Sequence, residues 1–247
     1  MPRAVRARPS PRPRRFLRPR THAALEPEEY ERLRRGHLGK RRLELVAQLI
    51  ERPPRAQRAL EIGYGPGRTL YELACQFPQV QFLGIEVDRR MLEYARRRYR
   101  RPNLAYTLRG ESGLPRESFD VVISIDVLHH VTDLGALAQE VASSLAPGGV
   151  WLVVEPNMLH PYVWLKQTWM RRAGEEEDHF RPWRAERAFR SAGLAWTKHY
   201  AFLFPGWLRR VPPPLAAVER ALERVPFLGG AIVYRLTRSF ATPCASA

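Results

Sequence analysis

The stretch Arg-Ala-Leu-Glu-Ile-Gly-Tyr-Gly-Pro-Gly-Arg-Thr, residues 58–69, is the most informative part of the sequence. A short apolar run ends in an acid, a glycine-rich turn follows, and an amphipathic segment begins directly after it. This is the pattern of a strand, a tight turn and a helix. Glycine allows positive φ angles and leaves space for a ligand, and the first N–H groups of the helix point towards that space. The stretch therefore predicts a nucleotide-like ligand above the turn.

The spacing of the glycines indicates which kind of ligand fits. The dinucleotide fingerprint G-x-G-x-x-G would need a glycine at position 68, where the sequence has Arg68. The pattern here is E-x-G-x-G-x-G, in which Glu61 stands two residues before Gly63. A carboxylate at this place repels a pyrophosphate and attracts an amino group, so Glu61 favours a ligand with an ammonium end.

Later segments continue the alternation of strands and helices. An apolar run at 80–85 leads into Glu86-Val87-Asp88, and a carboxylate at the end of a second strand can accept hydrogen bonds from both hydroxyls of a ribose. Either Glu86 or Asp88 satisfies this requirement. Three further segments complete the pattern: Arg-Gly-Glu-Ser-Gly-Leu-Pro at 109–115, Phe-Asp-Val-Val-Ile-Ser-Ile-Asp-Val-Leu-His-His-Val at 119–131, and Leu-Ala-Pro-Gly-Gly at 145–149.

Taken in order, these segments resemble the motifs of class I S-adenosylmethionine-dependent methyltransferases. The resemblance covers roughly residues 60–155 and is greatest to the small-molecule group related to ubiquinone and sterol enzymes, methyltransferase type 11. It implies an α/β fold, a Rossmann-like doubly wound sheet of seven strands with helices on both faces. We expect an N-terminal helix and an insertion after the fifth strand to be added to that fold.

The resemblance also implies a cofactor, S-adenosyl-L-methionine, and a set of residues that contact it. The family pattern assigns the ribose acid to Glu86, so we expect Asp88 to cap the next helix. It places Glu111 at the adenine amino group, although the family usually has Asp there. The implied cofactor-binding residues are Glu61, Gly63, Tyr64, Gly65, Gly67, Glu86, Val87, Glu111, Ser112 and Ile125.

Three histidines are the candidate catalytic residues. His129 and His130 follow the predicted fourth strand, whose carboxyl end faces the ligand crevice in a doubly wound sheet. One of them is a candidate general base, while the other packs or anchors its loop. His179 stands just before the predicted sixth helix, where related enzymes often keep a histidine that faces the acceptor. The sequence shows no metal-ligand spacing, so we expect no metal site.

The predicted domain organisation is a tail and one domain. Residues 1–21 form a Pro- and Arg-rich tail that we expect to be disordered. Residues 22–247 form the methyltransferase domain, with a cofactor-binding core at about 55–156 and an acceptor-side insertion at about 157–182. A single helix is expected over residues 25–51, with Tyr30 and His37 on the surface.

Composition limits the function classes. The net charge is +16, but eight arginines lie within residues 1–20, so half of the excess is in the tail. The D/N-P-P-Y sequence of enzymes that methylate nucleobase amino groups is absent after the fourth predicted strand. This absence argues against a nucleic-acid substrate. Cys75 and Cys244 form no disulfide framework, and no apolar run approaches the ~18 residues of a membrane span, so a cytoplasmic protein is expected.

The sequence therefore predicts methyl transfer to a small acceptor. Aromatic residues in the insertion favour an apolar or lipid-like acceptor, and they equally fit a helix on a membrane surface. Two alternatives are an RNA methyltransferase that uses the arginine-rich tail, and a non-catalytic partner subunit with a methyltransferase-like fold. Three predicted ligand acids, Glu61, Glu86 and Glu111, argue against the non-catalytic alternative. The oligomeric state cannot be read from the sequence.

Overall fold

The computed structural model describes most of the chain. Among the predicted features, the tail at 1–21 and the adenine contacts Glu111 and Ser112 lie outside the described residues. The described residues are 25–34, 36–51, 56–110, 113–172, 179–201, 204, 210–223, 225–226 and 228–238.

Within these residues the fold is built on one seven-stranded sheet. The strand order is β3-β2-β1-β4-β5-β7-β6, and only β7 is antiparallel to its neighbours. The chain runs outward from β1 to β3 and then returns to the other side of β1, so the order reverses between β1 and β4. Ligands bind at the carboxyl ends of the strands at such a point. The strands are β1 Arg58–Ile62, β2 Gln81–Glu86, β3 Leu104–Leu108, β4 Phe119–Ile125, β5 Leu145–Pro156, β6 Leu194–Ala201 and β7 Ala231–Arg238.

Helices cover both faces of the sheet, and each face has its own apolar core. One core joins the sheet to α2, α3 and α4, and the other joins it to α5 and α7. The predicted Rossmann-like α/β fold is thus confirmed. No helix in the described part of the chain has the length and apolar character needed to span a membrane. The helices are α1 Pro27–Arg34, α2 His37–Ile50, α3 Arg68–Gln76, α4 Arg89–Arg98, α5 Leu134–Ser144, α6 Pro161–Arg172, α7 Pro182–Ser191 and α8 Pro213–Leu222, with a 3₁₀ turn at Leu128–His130.

The N-terminal helix differs from the prediction. The expected single helix is divided into α1 and α2 at Gly36, whose φ of 150° lies outside the helical range. The break lets α1 turn over the glycine-rich loop, and Tyr94 of α4 donates its hydroxyl to the buried Glu31 at 2.9 Å. Burial and this bond to Glu31 raise the pKa of Tyr94 to about 12. The break thus coincides with a glycine, and the contact between Glu31 and Tyr94 holds α1 against α4.

The expectation that Tyr30 and His37 lie on the surface was wrong. Tyr30 lines a cavity beside the glycine-rich turn. The side chain of His37 is only 12% exposed, and its Nε2 pairs with the buried carboxylate of Glu219 on α8. Both residues belong to the helices that close over the carboxyl edge of the sheet.

Candidate active site

The glycine-rich turn between β1 and α3 has the backbone that its sequence requires. Gly63, Gly65 and Gly67 have φ angles of 71°, 57° and 86°. A Cβ on Gly63 would lie 2.7 Å from Cγ2 of Val127, so the loop after β4 packs directly on the turn. A Cβ on Gly67 would lie 2.9 Å from the Tyr106 ring. Any larger residue at these positions would both strain the backbone and displace its neighbours.

A cavity of about 320 Å³ opens above this turn, within the size range of small-molecule sites. Its floor includes residues of β1, the turn and the end of β4, and its cover comes from α1 and α2. Five of the predicted cofactor-binding residues line it, namely Glu61, Gly63, Tyr64, Gly65 and Ile125. The cover contributes Tyr30, Lys40, Arg42 and Leu43.

Glu86 stands at the carboxyl end of β2 and is 9% exposed. Its Oε2 accepts a hydrogen bond from Gly65 N at 2.9 Å, and its Oε1 accepts one from Val87 N at 2.7 Å. Burial raises the pKa of this carboxyl group, although its backbone donors act in the opposite direction. Oε1 also accepts a longer bond from Asp88 N at 3.3 Å. The carboxylate is therefore held against the turn, and Oε2 keeps a lone pair for a further donor.

The neighbouring acid has the role expected of it. Asp88 caps α4, because its Oδ1 accepts a hydrogen bond from Arg90 N at 2.8 Å. Val87 takes part through its N–H, which orients Glu86. The two acids at the end of β2 are thus distinguished by their contacts: one faces the glycine-rich turn and the other closes a helix.

Tyr64 brings a buried polar group to the cavity. It is 5% exposed, and its ring lies 4.9 Å from that of Tyr106. The Tyr106 hydroxyl donates to Gly67 O at 2.8 Å, whereas the Tyr64 hydroxyl is buried with no hydrogen-bond partner among the described residues. Burial raises the pKa of Tyr64, so the hydroxyl stays protonated and can donate to a ligand. An unmade bond of this kind costs about 1–3 kcal/mol, which a ligand would recover.

The end of β4 is tied to the helical cover. Asp126 follows the strand with a φ of 55°, a conformation that is uncommon outside glycine. Its Oδ2 accepts a hydrogen bond from Arg42 of α2 at 2.5 Å. The pair joins the cover of the cavity to the loop that carries the candidate histidines.

His129 makes a contact that the sequence analysis missed. Its Nδ1 lies 2.6 Å from Oε2 of Glu155, which is fully buried at the carboxyl end of β5. The other oxygen, Oε1, accepts hydrogen bonds from Val127 N at 2.9 Å and Leu128 N at 2.6 Å. The available signal was an acid at the end of an otherwise apolar strand, since Trp151-Leu-Val-Val precedes Glu155.

The other two histidines have different surroundings. The His130 ring lies 3.8 Å from the His129 ring, centroid to centroid. His179 lies just before α7, half-buried, and its Nε2 has no hydrogen-bond partner within the described ranges. None of the three histidines is among the residues that line the cavity, but His129 and His130 stand on the loop that packs against its floor.

The aromatic residues of the insertion point largely to solvent. On α6, Tyr162, Trp164 and Trp169 are 43%, 51% and 69% exposed, and Leu165 is exposed as well. Among the α6 side chains whose burial the structure describes, that of Gln167 is buried. The insertion therefore presents an apolar surface, and these aromatic rings do not enclose a pocket by themselves.

Comparison with known proteins identifies the central part of the chain. Residues 60–153 match the family model described as "Methyltransferase domain". The chain carries a class I methyltransferase domain. The match begins in β1 and ends in β5, so it includes the glycine-rich turn, Glu86 and the paired histidines. The cofactor of this domain type is S-adenosylmethionine.

Individual relatives of the methyltransferase domain agree with this family. Trans-aconitate 2-methyltransferase of Methylobacterium radiotolerans is 33% identical over 117 residues, 47% of this chain and 44% of that protein. Ubiquinone biosynthesis O-methyltransferase of Rhodopseudomonas palustris is 33% identical over 106 residues, 40% of each chain. The chain thus spans less than half the length of either relative.

The fold has relatives among solved structures. An S-adenosylmethionine dependent methyltransferase from Mesorhizobium loti superimposes with a TM-score of 0.58 at 18% identity, covering 79% of this chain and 98% of that one. This likeness extends beyond the family match into the second half of the chain and concerns the fold alone.

The described residues fit the cofactor. Glu61 supplies a carboxylate to a cavity that also contains the glycine-rich turn, as an ammonium group requires. Glu86 offers two buried oxygens beside that turn, as vicinal hydroxyls require. The buried Tyr64 hydroxyl is a donor in need of an acceptor. The domain thus has groups of the right charge and polarity for both the amino acid part and the ribose of S-adenosylmethionine.

Proposed function

We propose that this protein transfers a methyl group from S-adenosylmethionine to a small acceptor with an apolar or lipid-like body. The observation that carries the proposal is the hydrogen bond between Glu86 and Gly65 of the glycine-rich turn. Gly65 and Glu61 both line the cavity. The names of the two relatives support a small acceptor, since one describes a trans-aconitate methyltransferase and the other an O-methyltransferase of ubiquinone biosynthesis.

The proposed contribution of the chain is mainly alignment. When bound, S-adenosylmethionine supplies an activated methyl group on a good leaving group. Glu61 binds the ammonium end, Glu86 accepts from the ribose hydroxyls, and Tyr64 donates to a cofactor oxygen. The cover formed by α1 and α2 excludes water from the cavity, and the fixed orientation of both reactants lowers the entropic part of the barrier.

The acceptor side of the proposal rests on the second half of the chain. We assign residues 55–156 to the cofactor-binding core and 157–182 to the acceptor side. The exposed apolar side chains of α6 support an acceptor with an apolar body. A hydroxyl acceptor also needs a general base, for which His129 is our candidate. His130 supports that loop, and His179 is assigned to holding the acceptor.

Calorimetry on the full chain tests the cofactor assignment. We expect S-adenosylmethionine and S-adenosylhomocysteine to bind and NAD not to bind. Glu86→Ala should weaken binding by about 1.5–3 kcal/mol, the range for a hydrogen bond to a charged group. Asp88→Asn is the matched control, because asparagine still caps α4 and should leave the affinity unchanged. Tight NAD binding without S-adenosylmethionine binding would overturn the proposal.

A further inference from the structure

We infer that Glu155 is a positioning residue that sets the tautomer of His129, with the ring proton on Nδ1 and an unprotonated Nε2. The inference rests on the proposed function only in giving Nε2 a substrate proton to accept. The arrangement of Glu155 and His129 stands on its own contacts.

Glu155 is held by hydrogen bonds from one loop. Both oxygens of this fully buried carboxylate are used on the same loop: Oε1 accepts from Val127 N and Leu128 N, and Oε2 lies 2.6 Å from His129 Nδ1. An ionised carboxylate can only accept hydrogen bonds. The hydrogen between Oε2 and Nδ1 therefore belongs to the imidazole ring.

Burial of the Glu155 carboxylate carries an energetic cost. A buried carboxylate is costly unless several donors compensate it, as Val127 N, Leu128 N and His129 do here. The side chains of His129 and Glu155 are 3% and 0% exposed, so water does not substitute for either partner. A carboxylate is useful here because it fixes both the ring orientation and the position of the proton.

The pair of Glu155 and His129 is connected to the cavity through Val127. Glu155 fixes the backbone of Val127, and Val127 packs so closely on Gly63 that no Cβ would fit between them. The carboxylate thus sets the position of His129 relative to the glycine-rich turn. Because the parallel strands β4 and β5 are neighbours in register, both groups arise at the same edge of the sheet.

The O–H bond of a hydroxyl acceptor breaks, the electron pair stays on oxygen, and an N–H bond forms at His129 Nε2. The ring becomes an imidazolium whose Nδ1–H remains on the Glu155 carboxylate, so the new positive charge forms beside a negative one. A Glu155→Gln side chain would keep Oε1 on the two backbone donors but turn an NH₂ group towards Nδ1. The ring proton would then move to Nε2, and the base would be lost.

Nitrogen NMR of protein labelled at histidine tests the inference without an acceptor. At a pH where the ring is neutral, the His129 signals, assigned by their loss in His129→Asn, should show the Nδ1–H tautomer. Glu155→Gln should exchange it for the Nε2–H tautomer, while Glu186→Gln, on α7 and bonded to Lys198 and Tyr234, should leave it unchanged. An Nε2–H tautomer in the wild-type protein would overturn the inference, even if Glu155→Gln failed to fold.

Turnover measurements provide a second test of the inference once an acceptor is known. Glu155→Gln should lower kcat about 10²- to 10⁴-fold, the range for loss of a general base, with the affinity for S-adenosylhomocysteine near the wild-type value. Glu186→Gln should keep normal turnover. Full activity in a folded Glu155→Gln protein would overturn the inference and leave the proposed function standing. A wild-type protein that binds no S-adenosylmethionine would instead overturn the proposed function.

Discussion

Two features of its surroundings shift the pKa of Glu86 in opposite directions. Its place at the end of β2 removes the carboxyl group from water, which raises its pKa, while N–H groups from Gly65 and Val87 favour the ionised form. The net upward shift means that burial is the larger effect. A carboxylate kept in this position therefore lowers the stability of the protein near neutral pH, which is consistent with selection for ligand binding.

The Glu86→Gln variant should lack the pH dependence of stability that the raised pKa of Glu86 causes. Because the pKa of Glu86 is raised, the folded state binds more protons than the unfolded state between the ordinary value of 4.5 and the raised value. The Glu86 contribution to the free energy of unfolding is therefore present below pH 4.5 and is lost as the pH rises through that window. Urea unfolding at several pH values should show glutamine gaining stability relative to the wild type as pH rises. A constant difference would contradict the assignment.

The two buried acids of the site show what sequence can reveal. Glu86 was predictable because it stands at a fixed place after a strand and beside a glycine pattern. Glu155 was not, because its partner His129 lies 26 residues away and only the pairing of β4 with β5 brings them together. A local sequence pattern can therefore identify a candidate ligand-binding group, but it does not identify two side chains that contact each other across neighbouring strands.

Helix α2 is held from two sides. Arg42 reaches Asp126 at the end of β4, while His37 and Arg41 pair with Glu219 and Glu223 on the α8 side of the fold. Since α2 covers the cavity, these contacts determine how firmly the cover is closed. The sequence predicted a helix here but not these polar contacts, because their partners are 84 residues away for Arg42 and 182 residues away for His37 and Arg41.

Removing His37 should destabilise the protein strongly. His37→Ala leaves the Glu219 carboxylate buried, with the N–H of Phe204 as its remaining donor in the described part of the chain. Loss of one partner of a buried pair costs about 3–5 kcal/mol. The double variant His37→Leu/Glu219→Leu should recover most of that loss. Arg32→Ala, which breaks an exposed pair with Glu29, is the control and should change little. Equal unfolding midpoints for the single and double variants would contradict this account.

At the scale of the whole molecule, charge and apolar surface are distributed unevenly. The first 20 residues contribute eight arginines, and they lie outside the described part of the chain. Within the described part, Tyr162, Leu165 and Trp169 share one face of α6 by their spacing and are exposed. The order of motifs predicted the sheet correctly, because each strand is followed by its own turn signal. The orientation of the α6 aromatics depends on packing and was not predictable.

Deleting residues 1–20 tests whether the basic segment matters to the domain. We expect the melting temperature and the affinity for S-adenosylmethionine to stay unchanged, because a Pro- and Arg-rich segment has too few apolar residues to add to a core. Differential scanning calorimetry and titration of both proteins measure this. The same pair should be compared for binding to RNA and to anionic liposomes. A large loss of either interaction on deletion would support a nucleic-acid or membrane arm instead.

The position of β7 has a consequence for synthesis. β7 is the seventh strand along the chain, yet it lies between β5 and β6, and it is the one neighbour of β6 among the described strands. Until residues 231–238 have left the ribosome, β6 therefore lacks its partner among the described strands, and the edge of β5 is open. The first five strands can assemble during this interval, since the pairings that join β3, β2, β1, β4 and β5 need neither β6 nor β7. A pause in translation at this point would leave two unpaired strand edges on one nascent chain, the condition under which neighbouring chains on a polysome associate.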